Sequence, residues 1–158
     1  MKRLFLLASL MTSTIMSLSV LACGDSLYRV GKGVSYRVYT APLPGNVLVY
    51  GQTEGARELA QALAQSGHDV RLVDNEIDLS MELNSGNYDV VIAPYSEHEN
   101  VESSNNAKGS VSTAYLPVAL SIDEEKIAER SYSKVMVAEK DDIKNYLKAI
   151  HKTLKGKT

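Results

Sequence analysis

The hydrophobic pattern of residues 47–94 alternates between two periods. Short apolar runs at residues 47–50, 70–73 and 89–93 predict strands, and the nearly continuous run at 47–50 is typical of a strand that is covered on both faces. The segment between the first two runs has apolar residues at three- and four-residue spacing, which predicts a helix with one buried face. The residues of that face are Ala56, Leu59, Ala60 and Leu63. This order of strand, helix and strand indicates a parallel sheet wrapped by helices.

The same alternation continues towards the C-terminus. Residues 114–120 and 134–138 predict two more strands, and a short helix begins at residues 121–125. Pro117 is expected near the start of its strand or at an irregular edge, and Asp141 is expected to cap the last helix. That helix has a long apolar stripe of Ile143, Tyr146, Leu147, Ile150 and Leu154. The pattern predicts an α/β fold with a flavodoxin-like doubly wound five-stranded parallel sheet, in the order 2-1-3-4-5.

Local signals give more detailed predictions for the connections. Thr53 is expected to cap the first helix and Gly67 to end it, with His68 in a solvent-exposed turn. Asp78 is expected to cap a short second helix. Residues 97–109 are polar and rich in Ser, Asn and Glu, which predicts a poorly ordered loop with at most one weak helical turn.

The first 22 residues have the pattern of a secretory signal peptide. A basic start is followed by an apolar run, in which interleaved Ser and Thr disfavour a membrane-spanning helix. Residues 20–22 together with Cys23 resemble a bacterial lipobox, which would attach a lipid to Cys23. Cleavage by ordinary signal peptidase fits the same small residue, so both routes stay open. Either route predicts a periplasmic or otherwise extracytoplasmic protein, with membrane contact only through a lipid on Cys23.

Composition narrows the class of protein. Removal of 22 residues from 158 leaves a mature chain of 136, which is long enough for one domain with a core. Without Lys2 and Arg3 the 17 basic residues fall to 15 against 19 acidic residues, a formal net charge of −4. This balance argues against a nucleic-acid partner, which would need a net basic face. The single cysteine excludes an internal disulfide.

The mature chain begins with an extension at residues 23–44. Alternating apolar and polar residues at 27–30 and 34–39 predict a short β-hairpin with its turn at residues 31–33. The turn contains Gly-Lys-Gly, but a glycine-rich phosphate loop would need a helix directly after it. Pro42 and Pro44 mark a boundary, so the main domain covers residues 45–158.

Residues 66–70 (Ser-Gly-His-Asp-Val) and 83–92 (Leu-Asn-Ser-Gly-Asn-Tyr-Asp-Val-Val-Ile) carry a resemblance to the response-regulator receiver domain, which extends over about 45–158. The resemblance implies an acidic Mg²⁺ site after the first strand and a phosphoaccepting aspartate after the third. Those places fall at residues 50–51 and at Pro94, which have no carboxylate. Ser121 matches the receiver's hydroxyl residue, and Lys140 lies near its lysine. The resemblance therefore implies a degenerate receiver that cannot be phosphorylated by the usual route.

A second resemblance leads to a small-molecule alternative. Residues 49–58 are similar to the phosphate loop of flavodoxin, and residues 93–95 to its aromatic FMN-stacking loop. Thr53 is the one hydroxyl in that loop, and Glu54 would repel a phosphate group. A degenerate flavin site or metal site at the carboxyl ends of the strands therefore remains the alternative to protein binding.

Candidate ligand-binding residues follow the predicted strands, because ligands of doubly wound sheets bind outside the strands' carboxyl ends. They are Thr53, Glu54, Asp74, Tyr95, Ser121 and Lys140. Glu97, His98 and Glu99 form a candidate metal site, with a solvated polar loop as the alternative interpretation. His98 could also act as a general base, but no activated nucleophile is nearby.

The sequence contains no G-x-S-x-G, H-E-x-x-H, P-loop or C-x-x-C motif. We therefore expect no catalytic residue and no resident cofactor. The leading hypothesis is an exported receiver-like module that binds another protein in the cell envelope. In receivers the partner face is formed by helix four, strand five and helix five, which here corresponds to parts of residues 127–150.

Overall fold

The computed structural model of the chain describes residues 40–108 and 113–157. The predictions for the signal peptide, for Cys23 and for the hairpin at residues 27–39 lie outside these ranges. The elements in chain order are β1 (Asn46–Tyr50), α1 (Glu54–Gln65), β2 (Asp69–Val73), α2 (Glu76–Ser85), β3 (Val90–Pro94), a 3₁₀ turn (Tyr95–Glu97), α3 (His98–Lys108), β4 (Ala114–Ala119), α4 (Ile122–Ala128), β5 (Met136–Val137) and α5 (Ile143–Lys157).

The five strands are parallel and form one sheet in the order 2-1-3-4-5, which confirms the predicted flavodoxin-like doubly wound fold. Val47 of β1 pairs with Val70 of β2 and with Val90 of β3. Successive strand residues point to opposite faces, so β1 contributes to two cores. Val47 and Val49 pack with α1 and α5, whereas Leu48 packs with α2 and α3. Helices on both faces explain the continuous apolar runs.

Residues 98–108 form a helix, so the predicted loop at residues 97–109 is wrong. Val101 is fully buried and packs against Leu79 and Leu83 of α2, which holds α3 on the sheet. Among residues 98–104, whose burial the structure describes, Val101 is the single apolar side chain, and α3 has almost no helical periodicity. The tertiary contact therefore decides the structure here, and local sequence does not.

The predicted caps of α1 are confirmed. Thr53 Oγ1 accepts a hydrogen bond from the backbone N–H of Ala56 at 3.3 Å, and Gly67 has a φ of +100° just after the helix end. The cap of α2 is Asn75 rather than the predicted Asp78. Asn75 Oδ1 accepts from the Asp78 N–H at 2.8 Å, and Asp78 Oδ2 accepts from Asn75 Nδ2 at 2.8 Å. Either side chain could cap a helix. Because α2 begins at Glu76, the N-cap position falls on Asn75.

The cap of α5 is also shifted by one residue. Asp142 Oδ1 accepts from the backbone N–H of Asn145 at 3.1 Å, so Asp142 takes the role predicted for Asp141. Asp141 Oδ2 instead accepts from the N–H of Val137 at 2.7 Å. That bond ties the β5–α5 turn to the short edge strand.

His68 is buried, with 6% of its surface exposed, so its predicted position in a solvent-exposed turn is wrong. Its Nδ1 atom accepts a hydrogen bond from the backbone N–H of Gly45 at 3.2 Å. Next to it, the N–H of Ala41 donates to the carbonyl oxygen of Ser66 at 2.7 Å. The segment that enters the domain therefore lies over the α1–β2 turn and covers the imidazole.

β5 has two residues instead of the predicted five, and it pairs only with Val118 and Ala119 of β4. The Ala138 N–H donates to the carbonyl oxygen of Ala119, so the backbone groups of Ala119 face β5. Because this direction alternates along a strand, the backbone groups of residue 117 also face β5. Pro117 nevertheless precedes the paired segment. Its missing N–H therefore removes no strand pairing, although β4 is an interior strand and Pro117 is its fourth residue.

Within residues 40–108 and 113–157, none of the helices combines the length and the apolar character that a membrane crossing requires.

Candidate functional site

The strand order reverses between β1 and β3, which is where doubly wound sheets bind ligands. β1 ends at Tyr50 and β3 ends at Pro94. Gly51 follows Tyr50, and its N–H donates to the carbonyl oxygen of Val73 at 3.1 Å. Gly51 and Pro94 therefore stand at the crevice without an ionisable side chain.

The predicted binding residues after β1 and β2 contact their own neighbours. The Thr53 hydroxyl is used as the N-cap of α1, and Glu54 Oε2 lies 3.0 Å from Arg57 Nη1 on the same helix. Asp74 Oδ1 accepts from Asn75 Nδ2 at 3.2 Å. A carboxylate in the first turn of α1 also opposes binding of a phosphate at this helix end, because both groups are negative.

Tyr50 belongs to this site, although the sequence indicates it only as the last strand residue and as a place where the receiver's carboxylate is missing. Burial is the main cause that raises the pKa of its phenol above the ordinary value, and three carboxylates raise it further. These carboxylates belong to Glu97, Glu76 and Asp74, which follow two different strands. The crevice around Tyr50 is consequently negative. The signal that could have indicated it is the aromatic residue at the end of β1.

Ser121 and Lys140 lie at the carboxyl ends of β4 and β5, and each is engaged within the chain. Ser121 Oγ accepts from the N–H of Glu124 at 3.2 Å, and Glu124 Oε2 accepts from the N–H of Leu120 at 2.7 Å. Lys140 Nζ lies 2.8 Å from Glu125 Oε2. This hydrogen bond raises the pKa of Lys140 above its ordinary value.

Glu97, His98 and Glu99 are not assembled into a metal centre. Glu97 Oε2 accepts from Asn100 Nδ2 at 2.9 Å. His98 Nδ1 lies 2.9 Å from the carbonyl oxygen of Tyr95 and donates to it, because a carbonyl can only accept. In the part of the chain that the structure describes, no group of three or more His, Cys, Asp and Glu residues could hold a metal ion.

Three tyrosines and His98 form an aromatic cluster beside the end of β3. The Tyr95 and His98 rings are stacked with centroids 4.7 Å apart, and Tyr132 meets Tyr95 and Tyr115 edge-on at 6.2 and 5.3 Å. The Tyr132 hydroxyl donates to Glu102 of α3. Burial, followed by this bond, raises the pKa of Tyr132 well above its usual range. One face of the Tyr95 ring is therefore covered by His98 instead of being open to a flavin.

The surface next to Ser121 has a different character. Leu120, Ile122 and Ile127 have 42%, 62% and 49% of their surface exposed, and Ala128 is the buried residue of α4. We call Leu120, Ile122 and Ile127 the α4 surface. Helices of globular domains normally turn such side chains towards the core. Ile77 and Met81 form a comparable exposed pair on α2.

Similarity to known proteins gives no further guide to the function. No family model matches the chain, and comparisons with curated proteins and with solved structures give no significant match. The function is therefore inferred from the residues at the strand ends and on the α4 surface.

Proposed function

We propose that this protein is an exported, non-catalytic α/β domain that binds another protein in the cell envelope through the α4 surface and the adjoining parts of β5 and α5. The observation that carries the proposal is the exposure of Leu120, which precedes the cap of α4, and of Ile122 and Ile127 on α4, where Ala128 is the one buried residue. Each of these side chains would contribute on the order of 1–2 kcal/mol if a partner buried it.

The polar groups around the α4 surface suit the rim of such an interface. The Lys140–Glu125 ion pair lies beside it, and Lys126 lies 3.6 Å from Asp123 on the exposed side of α4. Interfaces commonly have an apolar centre and a charged, solvated rim. The location in the envelope rests on the signal-peptide pattern of residues 1–22.

A non-catalytic role is supported by the contacts at the carboxyl ends of the strands. The hydroxyl groups of Thr53 and Ser121 cap helices, and Glu54 and Lys140 are in ion pairs. The negative crevice around Tyr50 would repel the phosphate of FMN. These contacts weaken the alternative of a small-molecule site at the strand ends relative to protein binding.

The test uses two substitutions that are matched in exposure. Ile122 and Met81 are both 62% exposed apolar residues on helices, on α4 and α2. We expect Ile122→Glu to abolish recovery of the partner from a solubilised native envelope, whereas Met81→Glu should leave recovery unchanged. Because neither side chain is buried, both variants should keep the wild-type circular dichroism spectrum.

The opposite pattern, with the partner lost only in Met81→Glu, would move the interface to α2 and refute the proposal. A purified wild-type protein with bound flavin absorbance would instead favour the small-molecule alternative. Photo-crosslinking from position 127 in the native envelope gives an independent readout, because it requires a partner within reach of the α4 surface.

A further inference from the structure

A groove of about 620 Å³ opens at the amino end of β4, at the opposite end of this strand from the α4 surface. Its walls are residues 114–116 of β4, the loop at residues 132–134 and one face of α5. The shortness of β5 explains it: β4 begins four residues before Val118, the first residue that β5 pairs with. The sheet is therefore narrower at this end, and α5 and the loop border the space that remains.

The groove is lined by four lysines, Lys134, Lys148, Lys152 and Lys157, and by no acidic residue among those described there. We call it the lysine groove. Within the described chain, Lys134, Lys148 and Lys152 form no salt bridge. Lys157 Nζ donates to the backbone carbonyl of Asp89 at 2.8 Å. Several cations without a carboxylate between the walls create a positive local potential, which concentrates anions.

The other lining residues differ from those of an ordinary charged surface. The edge of β4 at residues 114–116 makes one wall largely apolar, while Asn145 and Ser133 add uncharged polar groups. The volume falls within the range of about 300–1,000 Å³ that is common for small-molecule sites. A ligand that matches this lining has both a multiply charged group and an apolar part.

We propose that the lysine groove binds a small organic phosphate, with the phosphate group between the lysine ammonium groups and the apolar part against the edge of β4 at residues 114–116. Lysine binds phosphate as a point charge, and charge-assisted hydrogen bonds of this kind are among the stronger ones in proteins. Residues 23–39 of the same chain do not suit the groove, because this segment has a net positive charge. It contains Arg29, Lys32 and Arg37 against a single acidic residue, Asp25. This site lies at the opposite end of β4 from the α4 surface, so it does not require the proposed protein binding.

The test is a titration of the purified protein with 1-naphthyl phosphate, followed by NMR of the backbone amides. The matched probe is 1-naphthol, which has the same ring system and no charge. We expect the phosphate to shift the amide signals of residues 114–116, 133–134 and 148–153, and we expect 1-naphthol to leave them in place. Inorganic phosphate should shift the lysine-side signals with lower affinity, because it lacks the apolar part.

Two double variants on α5 separate the groove from the overall charge of the helix. Lys148→Gln/Lys152→Gln removes two lining lysines, and Lys144→Gln/Lys155→Gln removes two lysines of the same helix that do not line the groove. All four side chains are exposed, so both variants should fold. We expect the first to weaken binding of 1-naphthyl phosphate at least roughly tenfold and the second to change it by less than about threefold.

If both double variants weakened the binding of 1-naphthyl phosphate equally, a specific site would be refuted. The binding would then depend only on the total charge of α5. The absence of shifts with either phosphate would also overturn the proposal, and the lysines would then serve to block pairing at the sheet edge. Binding to vesicles that contain phosphatidylglycerol, or to a single-stranded oligonucleotide, without binding of 1-naphthyl phosphate would replace the small-molecule assignment.

Discussion

Acidification should destabilise the domain through His68. In the folded protein Nδ1 accepts from the Gly45 N–H at 3.2 Å, so this nitrogen must be unprotonated. Burial lowers the pKa of His68 below its ordinary value of 6.5. Protonation would place a second donor opposite the Gly45 N–H. The lost hydrogen bond alone amounts to roughly 1 kcal/mol of unfolding free energy.

The sign of the pH dependence follows from the two pKa values. Above the ordinary value of 6.5 the imidazole is neutral in both the folded and the unfolded chain, so its full contribution is present. As the pH falls below that value, the unfolded chain takes up a proton that the folded chain does not. Stability then falls by up to about 1.4 kcal/mol per pH unit until the lowered pKa of the folded state is reached.

The assay compares urea unfolding of the wild type and His68→Asn between about pH 8 and about pH 5. Asparagine places an amide oxygen near the position of Nδ1, so it can accept from the Gly45 N–H but does not titrate. Carboxylates elsewhere affect both proteins equally and cancel in the difference. We expect the wild type to lose stability relative to His68→Asn on acidification. Parallel pH profiles, or a wild type that gains relative stability, would refute the buried-acceptor interpretation.

Three further predictions concern α3, the strand ends and the Lys140 ion pair. Val101→Ala should lower the unfolding free energy by roughly 1–2 kcal/mol and speed amide exchange in α3, because Val101 is its buried contact with α2; unchanged exchange would contradict this. Incubation with acetyl phosphate should leave the intact mass unchanged, since Gly51 and Pro94 stand where the receiver resemblance puts carboxylates; an added phosphate would show that alignment to be wrong. Glu125→Gln should return the raised pKa of Lys140 towards its ordinary value, as measured by NMR titration of the side chain.

The parts of the fold that could be predicted are those where local pattern and tertiary position agree. The apolar runs of β1 and β3 are covered on both faces, and this burial is what makes them continuous. α3 could not be predicted, because Val101 is the single apolar side chain among its residues 98–104. The burial of His68 depends on Gly45, which lies 23 residues away along the chain. Contacts at such separations leave no periodic signal.

The same reasoning explains which features of the candidate site could be predicted from the sequence. Sequence order correctly places Thr53 and Ser121 after their strands, since strand direction alone fixes this. It does not indicate that both hydroxyls act as caps, because a cap and a ligand-binding group require the same side-chain chemistry. The aromatic cluster joins Tyr95, Tyr115 and Tyr132, which are about twenty residues apart and meet only in the folded sheet.

The two ends of the sheet differ in what their charged side chains contact, and this difference constrains where binding can occur. At the carboxyl end, Glu54 and Lys140 each have a partner of opposite charge. A ligand there would have to displace Arg57 or Glu125 before it gained a contact of its own. At the amino end, Lys148 and Lys152 have no such partner in the described chain, so an anion gains their attraction without breaking an ion pair. Binding of an anion is therefore favoured at the amino end of this sheet, although doubly wound folds ordinarily bind ligands at the carboxyl end.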